Sequence, residues 1–142
     1  MAFTGEKTFD ATLQKTNELL KEIEDAMGWT NRRDQAYQAL RVVLHEFRDR
    51  LPVNESVHFA SQLPLLVKGI YFDGWRPSDV PKKIDRQEFM EEIRTKFFYQ
   101  IEGSIQDMVK TILEKIFDKF EDTGEKEKIK NLLPEELADL VK

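Results

Sequence analysis

The sequence predicts an all-α fold of about eight helices, set as two tandem four-helix repeats packed into one compact bundle. Three observations predict it. The apolar series is written twice: Leu19, Leu20, Ile23 and Met27 recur as Phe89, Met90, Ile93 and Phe97, seventy positions on. At an offset of sixty-nine, Ala39, Leu40, Val43, Leu44, Phe47 and Leu51 recur as Met108, Val109, Ile112, Leu113, Ile116 and Phe120. Phe59, Leu63, Pro64, Val67, Ile70 and Tyr71 return at seventy as Ile129, Leu133, Pro134, Leu137, Leu140 and Val141. A slip inside a helix would rotate its apolar face, so the one-residue slips belong to loops. Within the series, apolar residues fall at three- and four-residue spacings. No segment alternates apolar and polar residues over a strand length.

Helix one is expected over about Phe9–Met27, with Phe9, Leu13, Leu20, Ile23 and Met27 on one face, Thr8 as its cap and Gly28 as its stop. Helix two follows a Thr30 or Asn31 cap and runs to about Arg50, since Pro52 disfavours a helical Leu51. Helix three is short, about Glu55–Ser61, behind an Asn54 cap. Pro64 suits the first turn of helix four, where a missing N–H costs nothing. Its apolar run Leu65-Leu66-Val67 has strand character alone, but the repeat partner Pro134–Val141 has a helical pattern. The segment from Phe72 to Lys83, with Asp73-Gly74, Pro77 and Pro81, is a seam. Tyr71, Phe72 and Trp75 require it to pack on the body.

Asp85-x-x-Glu88 opens helix five, which carries Phe89, Ile93, Phe97 and Ile101 to a stop at Gly103. Ser104-x-x-Asp107 opens helix six, carrying Val109, Ile112, Leu113, Ile116 and Phe120. Helix seven spans about Glu125–Leu132, and helix eight starts at Pro134. The whole chain, 1–142, reads as one domain: repeat one over about 8–72, the seam over about 72–84 and repeat two over about 85–142.

Composition narrows the function classes. Apolar residues make up 40% and charged residues 35%, with ten Phe and two Trp to build a core. No apolar run reaches the roughly 18–20 residues of a membrane span, and the start at Met1-Ala2-Phe3 has no secretory-signal pattern. The absence of cysteine removes disulfides, thiolate metal sites and a Cys nucleophile. A cytoplasmic location is the simplest expectation. A net charge of −5 speaks against a nucleic-acid binder, which needs a concentrated positive surface. Arg32-Arg33 and Lys82-Lys83 with Arg86 read as solvated loop charge, and the mixed Glu, Asp and Lys of 121–130 as a solvated face.

The two copies act as a filter for function. Positions that hold the fold are apolar in both, whereas a site leaves polar residues in one. Helix two carries such a band: Asp34, Tyr37, Arg41, His45 and Arg48 lie along one margin of its apolar stripe at about 100° per residue. Their counterparts include Lys110 for Arg41, Glu114 for His45 and Phe117 for Arg48, and Gln62 becomes Leu132. Arg41 and Arg48 would hold an anion or acidic partner, with His45 titrating near neutrality. The plainer reading is structural, with Asp34, Arg41 and Arg48 forming salt bridges and capping carbonyls of neighbouring helices. Asp49 and its counterpart Asp118 share a structural role beside a helix end. Tyr71 and Trp75 of Tyr71-Phe72-Asp73-Gly74-Trp75 are either an aromatic anchor for a partner or core that closes the seam.

Enzymatic signatures fail one by one. His45 and His58, with Glu46 or Glu55, lack the spacing of a helical zinc motif, so no metal is expected. Ser56, Ser61, Ser78 and Ser104 occupy cap and loop positions, the carboxylates fall on solvated faces, and the six glycines are scattered singly. No catalytic residue and no cofactor is assigned.

Leu40–His45, Arg48–Pro52, Gln62-Leu63-Pro64 and Gly69–Pro77, in that order, resemble the bacterial domain of unknown function DUF2267. The similarity is strongest over about Ala36–Pro77 and continues more loosely to the C-terminus through Leu133-Pro134. It implies a small, soluble, helical bacterial protein and carries over no catalytic residue. Glu46-Phe47 departs from the small or aliphatic residues of such relatives.

The expected function is a non-enzymatic protein-interaction or regulatory module, with Arg41, His45, Arg48, Gln62, Tyr71 and Trp75 as candidate contacts. Its partner is an unidentified protein or a second copy, with no nucleic acid, membrane or identifiable small molecule. The alternative is a small-ligand or metal site in the first repeat.

Overall fold

The computed structural model describes residues 4–83, 85–120 and 122–141. The Met1-Ala2-Phe3 start, the last seam residue Ile84, Glu121 and Lys142 lie outside the described residues. All regular structure among the described residues is helical: α1 (Lys7–Met27), α2 (Arg33–Asp49), α3 (Val53–Ala60), α4 (Leu65–Phe72), α5 (Arg86–Lys96), α6 (Ile105–Phe117), α7 (Thr123–Leu132) and α8 (Glu135–Ala138). Two 3₁₀ turns, Pro77–Asp79 and Asp139–Val141, complete it. No described helix is long and apolar enough to cross a membrane.

Several caps are those expected. Gly28 ends α1 at φ 72°, a conformation in which a Cβ is strained, and its N–H returns to Asp25 and Glu24 carbonyls. Asp85 caps α5 through the Gln87 and Glu88 N–H groups, and Ser104 caps α6 through Asp107 N–H. Others differ. The Glu6 carboxylate, not Thr8, accepts the first α1 N–H groups, so that helix starts two residues earlier than Phe9. Neither Thr30 nor Asn31 caps α2. The Arg32 N–H there bonds the Glu24 carboxylate of α1 at 3.1 Å, a tertiary cap invisible to local pattern. α3 starts directly after Pro52 rather than behind Asn54, and Pro64 stands just before α4 rather than within its first turn.

Two register expectations are corrected. Phe9 and Leu13 carry the apolar period of α1 but remain 53% and 36% exposed, because the partners that cover its later turns do not extend to its first. α5 stops at Lys96 instead of continuing to Gly103. Phe97 turns extended and stacks on Trp29, ring centroids 5.9 Å apart, while the Phe98 N–H finds the Gln38 side chain at 2.9 Å. The Trp29 stack and the side-chain bond hold this turn.

The core centres on Phe59 of α3. Its ring meets Phe47 at 5.2 Å, Tyr71 at 5.3 Å, Phe120 at 5.5 Å and Phe117 at 5.6 Å. α1 packs on α2, α4 and α6, and α5 packs on α2 and α6. α2 also meets α6, and α3 meets α7. The seam packs as expected: Lys82 N–H bonds the Asp49 carbonyl at 2.7 Å, and Trp75 and Phe72 rings lie 4.9 Å apart.

Candidate functional site

Arg41, His45 and Arg48 stand four and three residues apart on α2, so they share a face, and α2 packs on α4. A helix ends with carbonyls that have no partner inside it and with a partial negative charge. At the end of α4 the Gly69 carbonyl takes the Asp73 N–H at 3.0 Å and the Phe72 carbonyl takes the Trp75 N–H at 2.9 Å. The rest are met from α2. His45 Nε2 donates to the Ile70 carbonyl at 2.7 Å. Arg48 donates to the Tyr71 carbonyl at 2.9 Å and to the Asp73 carbonyl at 3.0 Å. Arg41 donates to the Asp73 carboxylate at 2.7 Å.

The electrostatics follow from these contacts. Burial holds His45 below its ordinary 6.5 against the opposing Ile70 bond, and the neighbouring Arg48 and Arg41 charges add to the lowering. The Ile70 carbonyl can only accept, so the Nε2 nitrogen carries a proton. The Arg41 guanidinium holds the Asp73 carboxyl below the usual carboxylate range, and the same bond raises Arg41. Arg48 is only 5% exposed and also donates from Nε to Asp49 at 2.8 Å. A buried guanidinium demands such saturation. The band therefore serves to terminate α4 and fix it against α2.

The other candidates separate. Tyr71 is buried in the core, its hydroxyl 2.6 Å from Ser56 Oγ and its phenol pushed up by burial. Trp75 is half-buried, and its indole N–H has no hydrogen-bond partner among the described residues. Gln62 lies before the start of α4, whose eight residues span about 12 Å at ~1.5 Å each, whereas the band meets the end of that helix. It borders a surface cleft with Lys15, Glu18, Asp118 and Lys119. The structure thus brings Arg41, His45, Arg48 and the Tyr71 main chain together and leaves Gln62 apart.

Residues 16–140 match the family described as an uncharacterized conserved protein, DUF2267. The chain belongs to the DUF2267 family. No curated protein matches it. All six candidate residues of this DUF2267 chain fall within the matched span.

The DUF2267 chain holds a second polar cluster that sequence reasoning missed. Glu46 and Arg50 of the α2 end are each 1% exposed, and Arg50 donates to Glu46 Oε1 at 2.9 Å. From α5, Lys96 donates to Glu46 Oε2 at 2.7 Å and Glu92 lies 3.3 Å from Arg50. Arg50 also stacks over Phe89, 5.3 Å from the ring centroid. Burial pushes Glu46 up, whereas its bond with Glu46 and the Arg50 charge hold Glu92 low. The available signal was Glu46 itself, the departure from the family pattern, four residues before Arg50. Elsewhere His58 of α3 contacts the Glu125 carboxylate of α7. No group of three or more His, Asp or Glu side chains among the described residues is placed to hold a metal ion.

Proposed function

We propose that this DUF2267 chain is a non-enzymatic protein-interaction or regulatory module of the bacterial cytoplasm, built as two copies of one four-helix unit. The helix pairing supports the doubling: α1 packs on α6 as α5 packs on α2, while α2 meets α6 and α3 meets α7. Exchanging the halves exchanges these contacts.

The observation that carries the interaction reading is an apolar face left open where α1 and α4 begin. Leu66 N–H donates to Thr12 Oγ1 at 2.8 Å, which sets Leu66 beside the α1 turn bearing Phe9 and Leu13. Phe9, Leu13, Leu65 and Leu66 are all exposed there. Grouped exposed apolar side chains are a common mark of a contact surface. The first-repeat band supplies the complementary argument, since Arg41, His45 and Arg48 already donate to α4. A ligand in that band would have to displace intramolecular bonds.

The test combines light scattering over a concentration series with affinity capture of the full chain and of a Phe9→Ser/Leu66→Ser variant. The reading expects self-association or a captured protein that the variant loses while its helical circular dichroism is kept. Equal capture by both proteins, or a monomer that captures nothing, overturns it.

A further inference from the structure

A small hollow lies between α3 and α7, where the two halves of the chain meet. Its volume is about 120 Å³, of the order of an engineered cavity of ~150 Å³ that holds benzene. Leu51 from the end of the α2 segment and Ile129, Leu132 and Leu133 from α7 and its exit supply apolar walls. α3 supplies the polar side, with Asn54, Glu55 and His58 on one face by their three- and four-residue spacing.

These polar groups are unequally employed. His58 is held by Glu125 across the α3–α7 junction. Glu55 is half-buried, and neither Glu55 nor Asn54 makes an ion pair or hydrogen bond to another side chain among the described residues. A carboxylate without a side-chain partner beside an apolar-walled hollow sets a charge preference, since Glu125 is already engaged by His58. An anion entering the hollow is repelled by Glu55, the one carboxylate in its lining. A neutral molecule gains the apolar contact alone. A cation with an apolar stem gains the contact and an ion pair together.

We propose that the hollow between α3 and α7 is a binding site for an alkylammonium group, its stem of about four to six carbons against Leu51, Ile129 and Leu133 and its head on Glu55. The group comes either from a free amine or from a lysine side chain presented on a partner. The site is independent of the α1–α4 face, so each survives the failure of the other.

Methyl-resolved NMR titration of the full chain tests it, with n-butylamine, n-butanol, butyrate and an Nα-acetyl-lysine amide, its side-chain ammonium free, as probes. n-Butylamine is expected to shift the Ile129, Leu132 and Leu133 methyls saturably, with n-butanol weaker by about fivefold or more and butyrate without saturation. Glu55→Gln should lower amine binding to the level of the alcohol while leaving the remaining methyl spectrum unchanged. Saturation by n-butylamine alone assigns a free amine, and saturation by the lysine amide alone assigns a side chain. Equal saturation by amine and alcohol, no effect of Glu55→Gln, or no saturation by either amine overturns the proposal.

Discussion

Arg48 donates to the main-chain carbonyl of Tyr71 at 2.9 Å, so a side chain of α2 performs the task that a C-terminal cap would perform for α4. Arg48→Met removes that donor, leaves the Asp73 carbonyl without its donor and strips Asp49 of its nearer charged partner, Lys82 standing 4.0 Å away. Charge-assisted bonds in a buried setting put the loss at about 3 kcal/mol. Arg41→Ala, which loses the exposed Asp73 carboxylate and a Tyr37 contact at the surface, should leave the urea midpoint almost unmoved. Equal midpoints for the Arg48 variant and the natural chain would remove the capping role.

His45 gives the α2–α4 contact a pH dependence of definite sign. Its folded value lies below 6.5 because burial disfavours the imidazolium, so on acidification the unfolded chain takes up the proton first. Stability is therefore steady above pH 6.5 and falls as pH drops from there toward the folded value. Comparing unfolding free energies at about pH 7.5 and about pH 5, His45→Gln should show a smaller drop than the natural chain. An identical drop in both would assign the acid sensitivity to other groups.

How much of this was legible follows from where each signal resides. Gly28, Asp85 and Ser104 were readable as helix boundaries because their role is local. The plainer reading of Arg48 as a cap for a neighbouring helix is the geometry that α2 and α4 make. Glu6, the Glu24 cap of α2 and the early end of α5 were not readable, because two extra helical residues or a tertiary bond decided each. Phe9 and Leu13 kept the apolar period after its partner surface had run out. Glu46 fell among the carboxylates placed on solvated faces and Arg50 served only to mark the end of helix two, since the approach of α5 is what joins them into a buried cluster.

That buried pair makes a prediction of its own. Arg50→Ala leaves the 1%-exposed Glu46 with Lys96 as its remaining cation, and breaking a buried pair from one side costs about 3–5 kcal/mol. Glu46→Leu/Arg50→Met removes both charges and replaces them with apolar bulk, which should recover most of the loss. Urea unfolding should rank the double variant well above Arg50→Ala. The reverse order would mean that the charges themselves supply net stability.

Phe59 decides whether the two halves unfold together. Its ring touches Phe47 and Tyr71 from one half and Phe117 and Phe120 from the other, and it is fully buried. Phe59→Ala should cost about 3–5 kcal/mol through lost contact and the cavity left behind. That is a large share of the ~5–15 kcal/mol holding a domain of this size folded. Because the ring sits in one core built from both halves of the chain, the natural chain should melt in one transition, with far-UV circular dichroism and tryptophan fluorescence coincident. A fragment ending in the seam would expose the Phe59 face that Phe117 and Phe120 cover and should not fold alone. Two separated transitions, or a cooperatively folded first half, would show that the shared aromatic centre does not bind the halves into one unit.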